Sequence, residues 1–126
     1  MLENNDQAVK DQLKKAEKQL KDFEAQQYIN PEIAEQHRVK GNEYFENGEF
    51  PKAVKEYTEG LRRDPNSKAL FSNRCAAYIK LMDFPSALKD AEQTLKIDPN
   101  FVKGIAKKGT CHHFMKEYHK ALQTFE

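Results

Sequence analysis

No stretch of this 126-residue chain is apolar for long enough to cross a membrane as a helix. Charge of one sign is missing too: 21 Lys and Arg nearly cancel 20 Asp and Glu, leaving a formal +1. That balance argues against a nucleic-acid or polyanion binder that works through bulk electrostatics. Met1 leads into acidic, polar sequence rather than the apolar core of a signal peptide. Cysteine is scarce, and Cys75 with Cys111 suits a reduced, cytosolic protein better than a disulfide framework. Five glycines and five prolines stand mostly where turns are expected, as in an all-helical chain. There is no phosphate loop, no nucleophile–base pair and no carboxylate dyad in a recognisable setting, which points away from an enzyme and from any cofactor. The expectation is an all-α, cytoplasmic protein.

What the chain does have is a repeat. Shifted by about 34 residues it lines up with itself. Asp64-Pro65 recurs as Asp98-Pro99, and Gly41, Cys75 and Gly109 fall in step. So do Tyr44, Tyr78 and His112, then Phe50, Phe84 and Tyr118, then Ala53, Ala87 and Ala121. This period is that of the tetratricopeptide (TPR) helix–turn–helix, and it predicts a right-handed superhelical array whose function lies on the surface the stacked helices present. Residues 1–29 read as a charged connector helix and 30–126 as a TPR domain. Repeat one covers about residues 34–67, repeat two about 68–101, and repeat three about 102–126, truncated.

From about Asp6 to Gln27 the connector has neither Gly nor Pro. Leu13, Leu20 and Gln27, with Ala16 and Phe23, make only a thin apolar stripe, and Glu17 pairs with Lys21 at i,i+4. A solvated helix fits this better than a coiled-coil strand, which needs more heptads. Asn30 as N-cap with Pro31 at the first helical position starts the next helix, which stops at Asn47-Gly48. Phe50-Pro51 opens its partner, which ends before Asp64-Pro65. The second repeat copies the plan from Ser67 to Leu81 and from Phe84-Pro85 to Asp98-Pro99. A third pair is expected at about Phe101–Phe114 and from Glu117 or Tyr118 onward. An array that stops inside a unit lacks its capping helix, so the chain reads as a fragment whose apolar Ala121, Leu122 and Phe125 invite self-association.

Small residues at the Gly41/Cys75/Gly109 and Ala53/Ala87/Ala121 phases suit close helix approach, with Tyr44, Tyr57, Phe71, Tyr78 and Phe84 packed between. Cys111-His112-His113 and His119 raise the question of a metal. Adjacent helical residues point about 100° apart and no second ligand pair follows, so no metal is expected and His112 reads as a packed imidazole.

Removing the packing positions leaves Arg38 and Asn42 at i,i+4 on the first A helix, Asn73 on the second, and Lys103 and Lys107 at i,i+4 on the third. Three cations and two amides can donate to anionic oxygens, with charge-assisted bonds worth about 1.5–3 kcal/mol each. From spacing alone, ordinary solvated charges remain an equal reading.

Arg38-Val-Lys-Gly-Asn-Glu, Ser72-Asn73-Arg74 followed by Ala76-Ala77-Tyr78, and Lys103-Gly-Ile-Ala-Lys107-Lys108 resemble the signature of carboxylate-clamp TPR domains. Tyr28-Ile-Asn-Pro31, Lys40-Gly-Asn-Glu-Tyr-Phe, Tyr57-Thr-Glu and Leu70-Phe-Ser-Asn-Arg-Cys-Ala-Ala-Tyr extend the resemblance over nearly the whole chain. It is to the stress-inducible organising co-chaperones that link the seventy- and ninety-kilodalton heat-shock chaperones, and specifically to their last clamp-bearing TPR domain. The resemblance implies an adaptor that grips the acidic C-terminal Glu-Glu-Val-Asp of a chaperone, the seventy-kilodalton one favoured. Arg38, Lys103 and Lys107 would be its cationic members, and Asn42 and Asn73 its amide donors. Arg38 stands where the family commonly has lysine, and Lys107 where it commonly has arginine. Charge is kept at both, but fork geometry is not. A targeting module of a chaperone-associated prolyl isomerase or phosphatase, or a purely structural TPR, are the other readings. The charged connector favours the multi-TPR scaffold.

Overall fold

Helix breakers set the turns. In a computed structural model, the backbone is described for residues 2–125, and the side chains for all but residues 1–5, 26, 27, 121 and 124–126. Among the described residues the elements are six helices: α1 Leu2–Tyr28, α2 Pro31–Glu46, α3 Phe50–Arg63, α4 Lys68–Lys80, α5 Phe84–Ile97 and α6 Val102–Phe125. Pro31 opens α2, and Pro51 and Pro85 sit in the first turns of α3 and α5, where a missing N–H costs nothing. Ser67 caps α4 by accepting from the Leu70 N–H at 3.2 Å, and Asp83 caps α5 by accepting from the Ser86 N–H at 3.3 Å. Each A-to-B turn passes through the left-handed region, at Gly48 (φ 78°) in the first repeat and Met82 (φ 61°) in the second.

The third repeat departs from this plan. No break occurs between Phe114 and Glu117, and α6 runs through unbroken. The local reason is plain: where the earlier turns have Gly48 and Met82 the third has Lys116, and where they have Pro51 and Pro85 it has His119. Neither residue disfavours a continuing helix.

The chain divides into two compact units, Met1–Asn30 and Pro31–Glu126. In the first, α1 exposes Leu13, Leu20 and Phe23, while the Gln27 side chain lies outside the described residues.

In the second unit α2 packs on α3, α3 on α4, α4 on α5 and α5 on α6, and within the A layer α2 touches α4 and α4 touches α6. One core cluster gathers Ala34, Ala53, Tyr57, Leu61, Leu70 and Ala77, and a second gathers Cys75, Ala87, Ala91 and Cys111. Ala53, Ala87 and Cys75 are completely buried, as their recurrent small size predicts. Burial pushes the Cys75 thiol up to about 12, and raises Cys111 as well, so neither is poised to react. Gly41 is small for a definite reason: a Cβ there would lie 2.5 Å from the Tyr57 ring.

Two packing expectations fail on α6. His112 is exposed rather than packed, and a Cβ on Gly109 would meet nothing within 4 Å. Tyr44 and Tyr78 are half-buried because α3 and α5 fold back over them. Among the described residues no helix folds back over α6. Of the three residues expected to form an uncovered apolar face, Leu122 is exposed, and the side chains of Ala121 and Phe125 lie outside the described ones. No helix among the described residues is long and apolar enough to cross a membrane, and no three potential metal ligands cluster among them.

Candidate functional site

Starting α2 at Pro31 places Arg38 and Asn42 one turn apart, on a helix that borders α4. Asn42 is half-buried, and its Oδ1 accepts two hydrogen bonds. The Tyr57 hydroxyl donates from α3 at 2.5 Å, and Asn73 Nδ2 donates from α4 at 3.1 Å. The two predicted amides are thus in direct contact. With the Asn42 carbonyl consumed by these two donors, what it has left to offer is its own pair of N–H groups.

Tyr57 is 1% exposed, and its hydroxyl is pushed up to about 12 mainly by burial. The charge of Arg38 acts on the same hydroxyl in the opposite sense. Arg38 is itself engaged. Its Nε donates to Glu35 Oε2 at 2.7 Å and its Nη2 to Glu35 Oε1, and these bonds hold the Glu35 carboxyl below its ordinary value. The i,i+3 spacing of Glu35 and Arg38 was the available sequence signal for this pair.

Beside Asn73, Arg74 is pinned. It donates to Asp90 at 2.8 and 2.7 Å and to Thr58 Oγ1 at 3.2 Å, with the Phe71 and Tyr78 rings each 5.8 Å from the guanidinium carbon. Burial pushes the Asp90 carboxyl up, against the pull of those two bonds. The network joins α3, α4 and α5 and orients the helix that carries Asn73. Arg74 is spent on Asp90, so it adds no free cation to the site. Nothing in the local sequence announces a pair 16 residues apart.

On α6, Lys103 is exposed and Lys107 half-buried, and neither makes an ion pair among the described residues. α6 borders α4, and the Lys107 charge works against the burial that raises the Cys75 thiol. No hydrogen bond or ion pair among the described residues joins either lysine to Arg38, Asn42 or Asn73. The arrangement supplies N–H donors and positive charge on three neighbouring A helices, and so suits anionic oxygens.

A scan against protein-family models finds no match. The chain is 43% identical over 114 residues to the Hsp70-Hsp90 organizing protein of Triticum aestivum, covering 90% of this chain and 20% of that protein. Its structure matches the TPR2AB domain of yeast Sti1 in complex with pHSP90, with a TM-score of 0.75 and 47% identity over 90% of this chain and 44% of that one. It also matches the TPR2B domain of yeast Sti1 in complex with pHsp70, with a TM-score of 0.65 and 44% identity over 73% and 74% of the two chains. The chain belongs to the TPR domains of the Hsp70-Hsp90 organizing protein family. It spans about a fifth of the length of the curated relatives it matches. Family membership assigns the two-layer packing of α2 to α5 to TPR repeats.

Proposed function

We propose that this TPR domain is a non-enzymatic, cytoplasmic adaptor module that captures the acidic C-terminal tail of a heat-shock chaperone, Hsp70 before Hsp90, and holds it beside other chaperones on one scaffold. Arg38, Asn42, Asn73, Lys103 and Lys107 form its carboxylate clamp, within a TPR domain at residues 30–126 that follows a charged connector at 1–29. The observation that carries this reading is the Asn73–Asn42 hydrogen bond, which leaves the Asn42 amide with donors to spare on a layer that also presents two lysines without an ion pair among the described residues. Support also comes from the Sti1 TPR2B complex with pHsp70, which this chain matches over similar shares of both chains. Extended peptides held by a few charged anchors bind at about micromolar strength, or roughly −8 kcal/mol. Part of that affinity is screened as salt is added.

Fluorescence anisotropy tests the proposal with Hsp70 and Hsp90 tail peptides, each as the free acid and as the C-terminal amide. The free acids bind more tightly, and the Hsp70 tail more tightly than the Hsp90 tail. Equal affinity for acid and amide removes the clamp and leaves a purely structural TPR.

A further inference from the structure

An asparagine amide is nearly symmetric in shape but opposite in polarity at its two ends. A half-turn about its last side-chain bond exchanges two donors for an acceptor. At Asn42 that exchange matters, because a carbonyl facing a ligand carboxylate repels it. Some neighbour must select one orientation. Asn73 alone cannot, since its own amide can turn and offer Oδ1 in place of Nδ2, giving a second self-consistent pair.

We infer that Tyr57 is the positioning residue that makes this site selective for a carboxylate, by fixing Asn42 with its N–H groups toward the ligand. The inference rests on the clamp reading above. Tyr57 is buried, and its hydroxyl proton has a single acceptor among the described residues, Asn42 Oδ1 at 2.5 Å. Turning the amide would remove that acceptor and strand the hydroxyl proton inside the core, where an unmade hydrogen bond is costly. The proton is a permanent fixture at physiological pH, since burial keeps the phenol from ionising until about 12. Asn73 then follows: with Asn42 Oδ1 fixed, only its Nδ2 can face it, at 3.1 Å.

The sequence neighbours serve the same end. Gly41 lets the Tyr57 ring lie against α2, where any Cβ would come within 2.5 Å of it. The hydroxyl is thereby delivered to the very next residue. Gly41-Asn42 acts as one device, the first residue admitting the ring and the second receiving its proton.

Tyr57→Phe keeps the ring and deletes the proton. The ratio of affinities for the free-acid and amidated tail peptide is the readout, measured by anisotropy beside a thermal melt. In the parent the acid is preferred. In Tyr57→Phe the acid is expected to bind about five- to tenfold more weakly while the amide is unchanged or improved, corresponding to the loss of one hydrogen bond. A purely structural role would weaken both peptides alike and leave the ratio intact. A folded Tyr57→Phe variant with the parental ratio overturns the inference but not the clamp. A parent without acid preference overturns the clamp itself. A second measurement needs no variant: in parental NMR spectra the Asn42 side-chain N–H resonances shift when the free acid is added. If the acid binds and they do not move, Tyr57 has no such role.

Discussion

Glu35 holds Arg38 by two hydrogen bonds across a single helical turn, Nε to Oε2 at 2.7 Å and Nη2 to Oε1. A carboxylate of the protein therefore occupies the guanidinium edge that a ligand carboxylate would use in the proposed clamp. Because the pair lowers the Glu35 pKa, the contact persists at neutral pH and is lost only as pH falls through the depressed value. Glu35→Gln should release Arg38 and remove a like charge from the approach of an acidic peptide. Affinity for the free-acid tail is expected to rise about twofold at low salt, an exposed i,i+3 pair being weak, with the gain shrinking as salt is added. Anisotropy at two ionic strengths measures it, and unchanged affinity at both would show that Arg38 takes no part.

Lys103→Ala and Asn73→Ala each remove one donor without touching the core. Binding of the acidic tail is expected to weaken about ten- to a hundredfold, while the far-ultraviolet circular dichroism stays at the parental level. Parental binding in both variants would discard the clamp assignment.

Arg74→Met should destabilise without acting on the ligand directly. It strands Asp90, whose side chain is only 3% exposed, and such a loss costs about 3–5 kcal/mol. Burial already raises the Asp90 pKa in the folded state, and removing Arg74 raises it further. An acid with a raised folded pKa favours the folded state when protonated, so its penalty grows as pH rises through the window between its unfolded and folded values. Urea unfolding at pH 4 and pH 7 should therefore find the smaller deficit at pH 4.

Met82 holds φ 61°, a left-handed conformation that costs a side-chain-bearing residue about 1–2 kcal/mol. Gly48 takes the equivalent turn in the first repeat. Met82 is 65% exposed, so little packing is lost on truncation. Met82→Gly is expected to stabilise by about 1 kcal/mol, less any added freedom of the unfolded chain. A thermal melt that falls instead would mean the Tyr118 hydroxyl contact to Met82 Sδ, at 3.8 Å, outweighs the strain.

Local chemistry in the sequence was enough to determine the helices from α2 to α5. Their start and stop signals lie within a few residues of each boundary, and the period of about 34 residues set their order. The burial of Ala53, Ala87 and Cys75 followed from the same recurrence, because a repeated small residue marks a repeated close approach. At α6 the period misled: it called for a turn, but no proline like Pro51 or Pro85 stands at His119 to stop the helix, and the helix continued. His112 and Gly109 lost their packing partners with it. The five positions proposed for the site come from spacing and resemblance, whereas the contacts around Arg38, Asn42 and Asn73 could not be read from the sequence. Tyr57 reaches Asn42 across 15 residues, Arg74 reaches Asp90 across 16, and Asn73 reaches Asn42 across 31. Such contacts depend on the rotation of each helix about its axis, which is settled only when neighbouring helices pack. That is why Tyr57, a residue read from the sequence as core, also donates its hydroxyl proton to Asn42 Oδ1.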